Sequence, residues 1–197
     1  ETPPGQVELG GGAIHVYVPG EPAQVETRTG KVSGKSVQET VKEGSDNVYL
    51  KYNANTNGEK VIALTFDDGP GPTTSALLDL LKENDAVATF FTLRDQISHN
   101  PDSLETTHRI GTHSYDHAAT GGGNGVNMTR QSPEKQIEEV QMGQQAIADA
   151  TGSEASKVFR SPGGNFHGEI IWNLQPYITS EIGWNVDTED WRRPGAD

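Results

Sequence analysis

Four groups of polar residues are spaced so that one reaction could use them together. Asp67 and Asp68 are adjacent, after the apolar run 61–66 and before Gly69-Pro70. Two successive carboxylates repel unless a cation uses their charge; one can then bind a metal while the other serves as a base. The same Asp-Gly sequence is also ordinary turn chemistry. His113 and His117 stand four apart, close enough on one face of a helix or tight turn to reach one divalent ion. The Glu that a zinc-protease pattern places between such histidines is absent, the gap being Ser114-Tyr115-Asp116. Two His and one Asp instead make an open metal site with positions left for water and substrate. Arg160 leads Ser161-Pro162-Gly163-Gly164. An Arg at a strand end can grip a carboxylate, and small residues after it let backbone N–H groups approach a ligand, although an ordinary loop has the same composition. Asp187, Glu189 and Asp190 precede Trp191. Acids beside an indole suit a sugar ring, and a packed Trp among surface acids is the plainer alternative. His15, His99, His108 and His167 have no such company and read as surface or packing residues.

The elements that must position these groups begin near residue 60. The run 61–66 predicts a buried strand that feeds a loop at Asp67. Residues 73–84 carry Leu77, Leu78, Leu80 and Leu81 behind Thr73 or Thr74 as N-cap, and predict a helix. A second strand is expected over 87–92. A longer helix is expected over 133–150, with Ser132 as N-cap, Pro133 in the first turn and Gly152 at the stop. Residues 157–160 and 184–186 predict two further short strands. Such alternation implies a mainly parallel sheet, open or closed into a barrel, with functional groups at the C-terminal ends of the strands. Residues 1–59 are rich in Gly, Pro and Thr, with β-prone runs at 14–18 and 47–52, and read as a linker or a small strand-rich appendage.

Composition narrows the chemistry. The 197 residues carry 28 acidic against 15 basic side chains, a net charge of −13, which argues against a nucleic-acid partner. A neutral glycan or a divalent cation suits that balance. There is no cysteine, so disulfides and thiolate zinc sites are excluded and any metal must be held by His and carboxylates. Only 32% of residues are hydrophobic, and no apolar run is long enough to span a bilayer.

Taken in order, Thr65-Phe66-Asp67-Asp68-Gly69-Pro70, His113-Ser114-x-x-His117, Arg160-x-Pro162-x-Gly164 and Asp187-x-x-Asp190-Trp191 closely resemble four of the five motifs of the polysaccharide deacetylase family. This is the NodB-homology group, carbohydrate esterase family 4, which includes chitin and peptidoglycan N-acetylglucosamine deacetylases. The resemblance covers residues 60–197 and implies an α/β fold, a distorted (β/α) barrel. The fifth motif, Leu-x-His, has no counterpart before Asp197, so the barrel is expected to lack its C-terminal strands and the histidine that acts as general acid.

The resemblance also implies roles. Asp67 is expected as general base, tethered by Arg160, and Asp68, His113 and His117 as ligands of one divalent metal, zinc first, with cobalt or another ion able to substitute. The Gly163 N–H is expected to help hold the oxyanion, Trp191 to line the acetyl pocket, and Asp190 to orient the general-acid histidine. Gly163 stands where many relatives carry Tyr. The expected function is removal of N-acetyl groups from N-acetylglucosamine residues of a polysaccharide, peptidoglycan ahead of chitin, outside the cell or at its envelope. The alternatives are an O-acetyl xylan esterase of the same family and a non-catalytic glycan- or metal-binding relative.

Overall fold

The structure is a computed structural model that describes residues 7–9, 14–52, 57–100, 104, 107–117, 127–166 and 168–192. Among the described residues, five strands precede the Asp67-Asp68 pair: β1 (Val7–Leu9), β2 (Ile14–Val18), β3 (Gln24–Thr29), β4 (Ser36–Lys42) and β5 (Val48–Tyr52). Strand and helix then alternate through β6 (Thr65–Gly69), α1 (Thr74–Glu83), β7 (Thr89–Thr92), α2 (Arg94–His99), β8 (Arg109–Thr112), α3 (Pro133–Thr151), β9 (Val158–Phe159), α4 (Gly168–Leu174) and β10 (Ser180–Ile182).

One eight-stranded sheet runs β1-β5-β2-β10-β9-β8-β7-β6. Its half from β6 to β10 is parallel throughout, as short strands joined by helical crossovers require. The other half comes from residues 1–59: β2 pairs antiparallel with both β10 and β5, and β1 pairs parallel with β5. The sheet therefore crosses residue 60 rather than stopping there. Only β3 and β4 stand apart, as an exposed antiparallel hairpin. Among the described residues the sheet is open, with β6 at one edge and β1 at the other.

α3 follows its sequence signals closely. The Ser132 side chain accepts from the Lys135 N–H, Pro133 opens the helix, and Gly152 ends it at φ 69° with its N–H on the Ala148 carbonyl. Its buried face comprises Gln136, Glu139, Val140, Gly143 and Ile147, a helical repeat. Tyr17, Tyr49, Val140, Phe159, Ile170 and Leu174 belong to the main core, so the N-terminal strands and the parallel sheet share one interior. No helix among the described residues is long and apolar enough to cross a membrane.

Three local expectations are corrected. The first motif strand begins at Thr65, and Val61 and Ile62 are 55% and 85% exposed. The neighbouring strand offers its first partner only at Thr89, so the residues before Thr65 have no ladder to join. Asp67 and Asp68 accordingly lie within the strand and not in a loop after it. The last strand is Ser180–Ile182 rather than 184–186, because its partner β9 ends at Phe159 and the pairing ends with it.

Gly143 presses α3 against the strand that leads to the histidine motif. A Cβ there would meet Thr112 Oγ1 at 2.1 Å and the Ser114 carbonyl at 3.2 Å. Alanine is the better helix former by about 1 kcal/mol, but overpacking of about 1–3 kcal/mol outweighs it, since the obstruction is a buried β-branched side chain and backbone. Gly143→Ala is expected to lower stability by up to about 2 kcal/mol in urea unfolding.

Candidate active site

The site forms where β6, β7, β8 and β9 end. Asp67 pairs with Phe91 and Gly69 with Thr92, which leaves Asp68 as the extra residue of a β-bulge, in the left-handed region at φ 64°. The bulge breaks the alternation of the strand and aims two successive carboxylates at one place. His113 follows β8, its N–H bonded to the Thr92 carbonyl. The chain then turns through Ser114 (φ 90°) and reaches His117 (φ 59°), whose N–H is held by Ser114 Oγ at 3.1 Å. The two histidines therefore converge through a tight loop with its own left-handed turns, not along a helix.

Asp68 Oδ1 stands 3.5 Å from His113 Nε2 and 3.4 Å from His117 Nε2. One donor atom from each residue lies within 4.8 Å of the others, a spacing that one divalent ion fits. The His113 ring supports the same reading. Its Nδ1–H donates to the Arg160 carbonyl at 2.8 Å, which leaves the Nε2 lone pair facing Asp68. Burial holds this ring below the ordinary histidine range, against the opposing pull of Asp67 and Asp68. A neutral imidazole with a fixed tautomer is the form that ligates a metal.

Arg160 is 3% exposed and spends its guanidinium on four bonds. Nη1 donates to Asp67 Oδ1 and to Thr65 Oγ1, Nε to the Ile182 carbonyl and Nη2 to the Gly183 carbonyl, each at 2.8 Å. The cation lies over the Phe91 ring, 4.4 Å from its centroid, and 5.6 Å from that of Trp184. Asp67 is thus fixed beside the three-donor cluster without joining it.

The other expected residues follow this cluster in the chain. Gly163 is exposed, at φ 62° in the short turn Pro162–Gly164, whose Pro162 is buried. Gly164 beside it lets Trp184 approach, since a Cβ would come within 2.7 Å of the indole. Asp190 and Trp191 fall in an exposed turn, Asp190–Arg192. Their partners are local: Asp190 accepts from Thr188 Oγ1, and Trp191 stacks with Arg192. Of the four histidines set aside in the sequence, His99 and His108 hold nearby backbone groups, and His167 lies outside the described residues.

His15 has a more particular setting. It lies directly across the β2–β10 ladder from Glu181, with Nε2 3.6 Å from Oε2, and is hydrogen-bonded to the buried Tyr49 hydroxyl. Glu181 is 2% exposed and accepts the Ser161 N–H at 3.2 Å. Its sequence signal was a lone carboxylate between Ile178 and Ile182 in a strand. Burial raises the Glu181 carboxyl from 4.5 to about 7, and the Ser161 bonds and the Arg160 charge offset this only in part. A carboxyl raised on folding adds stability that is complete below its unfolded value and is lost as pH climbs through its folded value. Stability is therefore expected to fall between about pH 4.5 and pH 7–8 by up to about 3 kcal/mol, less where His15 carries a proton. Urea unfolding at a series of pH values measures it, and Glu181→Gln is expected to flatten the slope.

Comparison with known proteins agrees with this geometry. A family model described as polysaccharide deacetylase matches residues 54–177. The peptidoglycan-N-acetylglucosamine deacetylase PgdA of Listeria monocytogenes is 34% identical over 190 residues, 93% of this chain and 38% of that protein. The peptidoglycan-N-acetylmuramic acid deacetylase PdaC of Bacillus subtilis is 33% identical over 139 residues, 68% of this chain and 27% of that protein. The chain thus spans well under half the length of these curated relatives. A family 4 carbohydrate esterase from Streptomyces lividans, solved in complex with acetate, superposes with a TM-score of 0.59 at 31% identity, covering 68% of this chain and 67% of that one. With the motifs, the sheet and the family match in agreement, the chain belongs to the polysaccharide deacetylase family, carbohydrate esterase family 4, and has its NodB-type α/β fold.

Proposed function

We propose that this chain is a metal-dependent hydrolase that removes N-acetyl groups from N-acetylglucosamine residues of peptidoglycan, outside the cell or at its envelope. The observation that carries the reading is a carboxylate, Asp67, gripped by Arg160 beside three convergent metal donors. Residues 60–197 are assigned to the deacetylase unit and 1–59 to its strand-rich N-terminal segment.

Asp68, His113 and His117 would hold the ion, zinc by preference, with cobalt or another divalent ion as substitute. The metal, when bound, supplies a Lewis acid that polarises the acetyl carbonyl and lowers the pKa of water. Asp67 takes the proton of the attacking water, and Arg160 keeps the carboxylate turned toward it. The Gly163 N–H donates to the oxygen that gains charge in the tetrahedral state. Trp191 borders the acetyl methyl, and Asp190 would orient a general-acid histidine, for which residues 1–197 hold no Leu-x-His motif.

The names of the Listeria and Bacillus relatives give peptidoglycan as what those proteins act on, which supports that polymer over chitin or acetylated xylan. Acetate release by the zinc-loaded protein from N-acetylglucosamine oligomers and from acetylated xylan tests the choice. Faster release from the oligomers is expected. Faster release from xylan would favour the esterase, and glycan binding without acetate from either would favour a non-catalytic relative.

A further inference from the structure

The grip of Arg160 on Asp67 depends on how the turn after β9 is held, and three consecutive residues at the end of β10 and just past it, Glu181 to Gly183, hold it. The Ile182 and Gly183 carbonyls take two of the guanidinium N–H groups. The Glu181 side chain takes the backbone N–H of Ser161, the residue immediately after Arg160. The first two contacts need only backbone and tolerate any side chain. The third depends on one buried carboxyl group, and an apolar residue in its place would leave the Ser161 N–H without this acceptor inside the protein. Such a lost acceptor costs more than the bond itself is worth, so the turn would shift to find another. Arg160 moves with the turn, and the Nη1–Asp67 contact has no slack at 2.8 Å.

The far side of Glu181 is equally determined. His15 is its cross-strand neighbour in β2, and Tyr49 lies diagonally beyond in β5. The row Tyr49, His15, Glu181, Ser161 links the N-terminal strands to the residue that orients Asp67. Arg160 is the further charged group facing Glu181, and it lowers the cost of burying the carboxyl there.

We propose that Glu181, seated by His15 of β2, is a positioning residue for the deacetylation reaction: by holding the Ser161 N–H it fixes the turn that carries Arg160 and so aims Asp67. It touches no reacting atom. The proposal rests on the reading of Asp67 as general base.

The test replaces Glu181 in the full zinc-loaded chain by Met, similar in length but without an acceptor, and by Gln, which keeps one. Glu181→Met is expected to lower kcat at least tenfold with KM within twofold and one zinc retained per chain. Glu181→Gln is expected to stay within threefold of the starting kcat. A residue that mattered only for folding would give neither the split between kcat and KM nor the recovery by Gln. If Glu181→Met does not fold, Glu181→Asp, one methylene short of Ser161, carries the same expectation of lowered kcat at unchanged KM. Unchanged kcat in the folded variant, loss of the zinc, or a Gln variant as impaired as Met would overturn the proposal. Failure of the underlying reading is seen separately, as full activity in Asp67→Asn.

Discussion

An Asp67→Asn protein is expected to bind zinc as the starting protein does and to release acetate about 10²- to 10⁴-fold more slowly, the range that general-base catalysis supplies. Asparagine has the shape of aspartate, and its amide oxygen can still accept from Arg160 Nη1, which reaches Asp67 Oδ1 at 2.8 Å. The turn after β9 and the packing over Phe91 and Trp184 are therefore undisturbed. What the variant lacks is an oxygen that can take a proton. Asp67 is not among the three convergent donors, so the metal should remain in place. Initial rates of acetate release, together with the zinc content of the same sample, measure both halves of the expectation. A slow enzyme that had also lost zinc would place Asp67 among the ligands instead.

His113→Ala is expected to act through the metal. His113 uses both ring nitrogens: Nδ1 donates to the Arg160 carbonyl, and Nε2 faces Asp68. Losing only an outer partner of a ligand typically costs 10- to 100-fold in affinity, so losing the ligand should cost more than about 100-fold. The Arg160 carbonyl also loses its donor, and the removed ring is 2% exposed, so stability should fall by about 1–3 kcal/mol. Competition against a chromophoric chelator measures the affinity, and urea unfolding the stability. Asp67→Asn and His113→Ala thus lower activity by separable routes, one with the metal kept and one without it.

The parts of this site that could be read from the sequence are those encoded by residue type. α3 could be placed nearly to the residue because Ser132, Pro133 and Gly152 each have one dominant use at a helix end. The pairing of Asp67 with Arg160, 93 residues apart, and the meeting of Asp68 with His113 and His117 were implied by the resemblance of the ordered motifs to the polysaccharide deacetylase family, and parallel strands bring these strand ends together. Backbone geometry was less visible. Nothing in Asp67-Asp68 announces that the second residue is a bulge at φ 64°, because Asp is ordinary in both turns and left-handed positions. Val61 and Ile62 have strand composition but no partner to pair with, and Trp184 to Val186 lie beyond the reach of β9. Composition likewise set residues 1–59 apart, whereas hydrogen bonding draws β1, β2 and β5 into the same sheet. Glu181 stands in the sequence only as a lone carboxylate and His15 reads as a surface or packing residue, because a buried cross-strand pair shows itself only once the register is known.

The most direct test of a metal-dependent deacetylase is acetate release from N-acetylglucosamine oligomers before chelation, after removal of metal, and after one equivalent of zinc is returned. The account predicts activity that disappears with the metal and returns with zinc in the starting protein, but not in His113→Ala. Acetate release that persists after the metal is removed, or none from protein carrying a full equivalent of zinc at Asp68, His113 and His117, would contradict it.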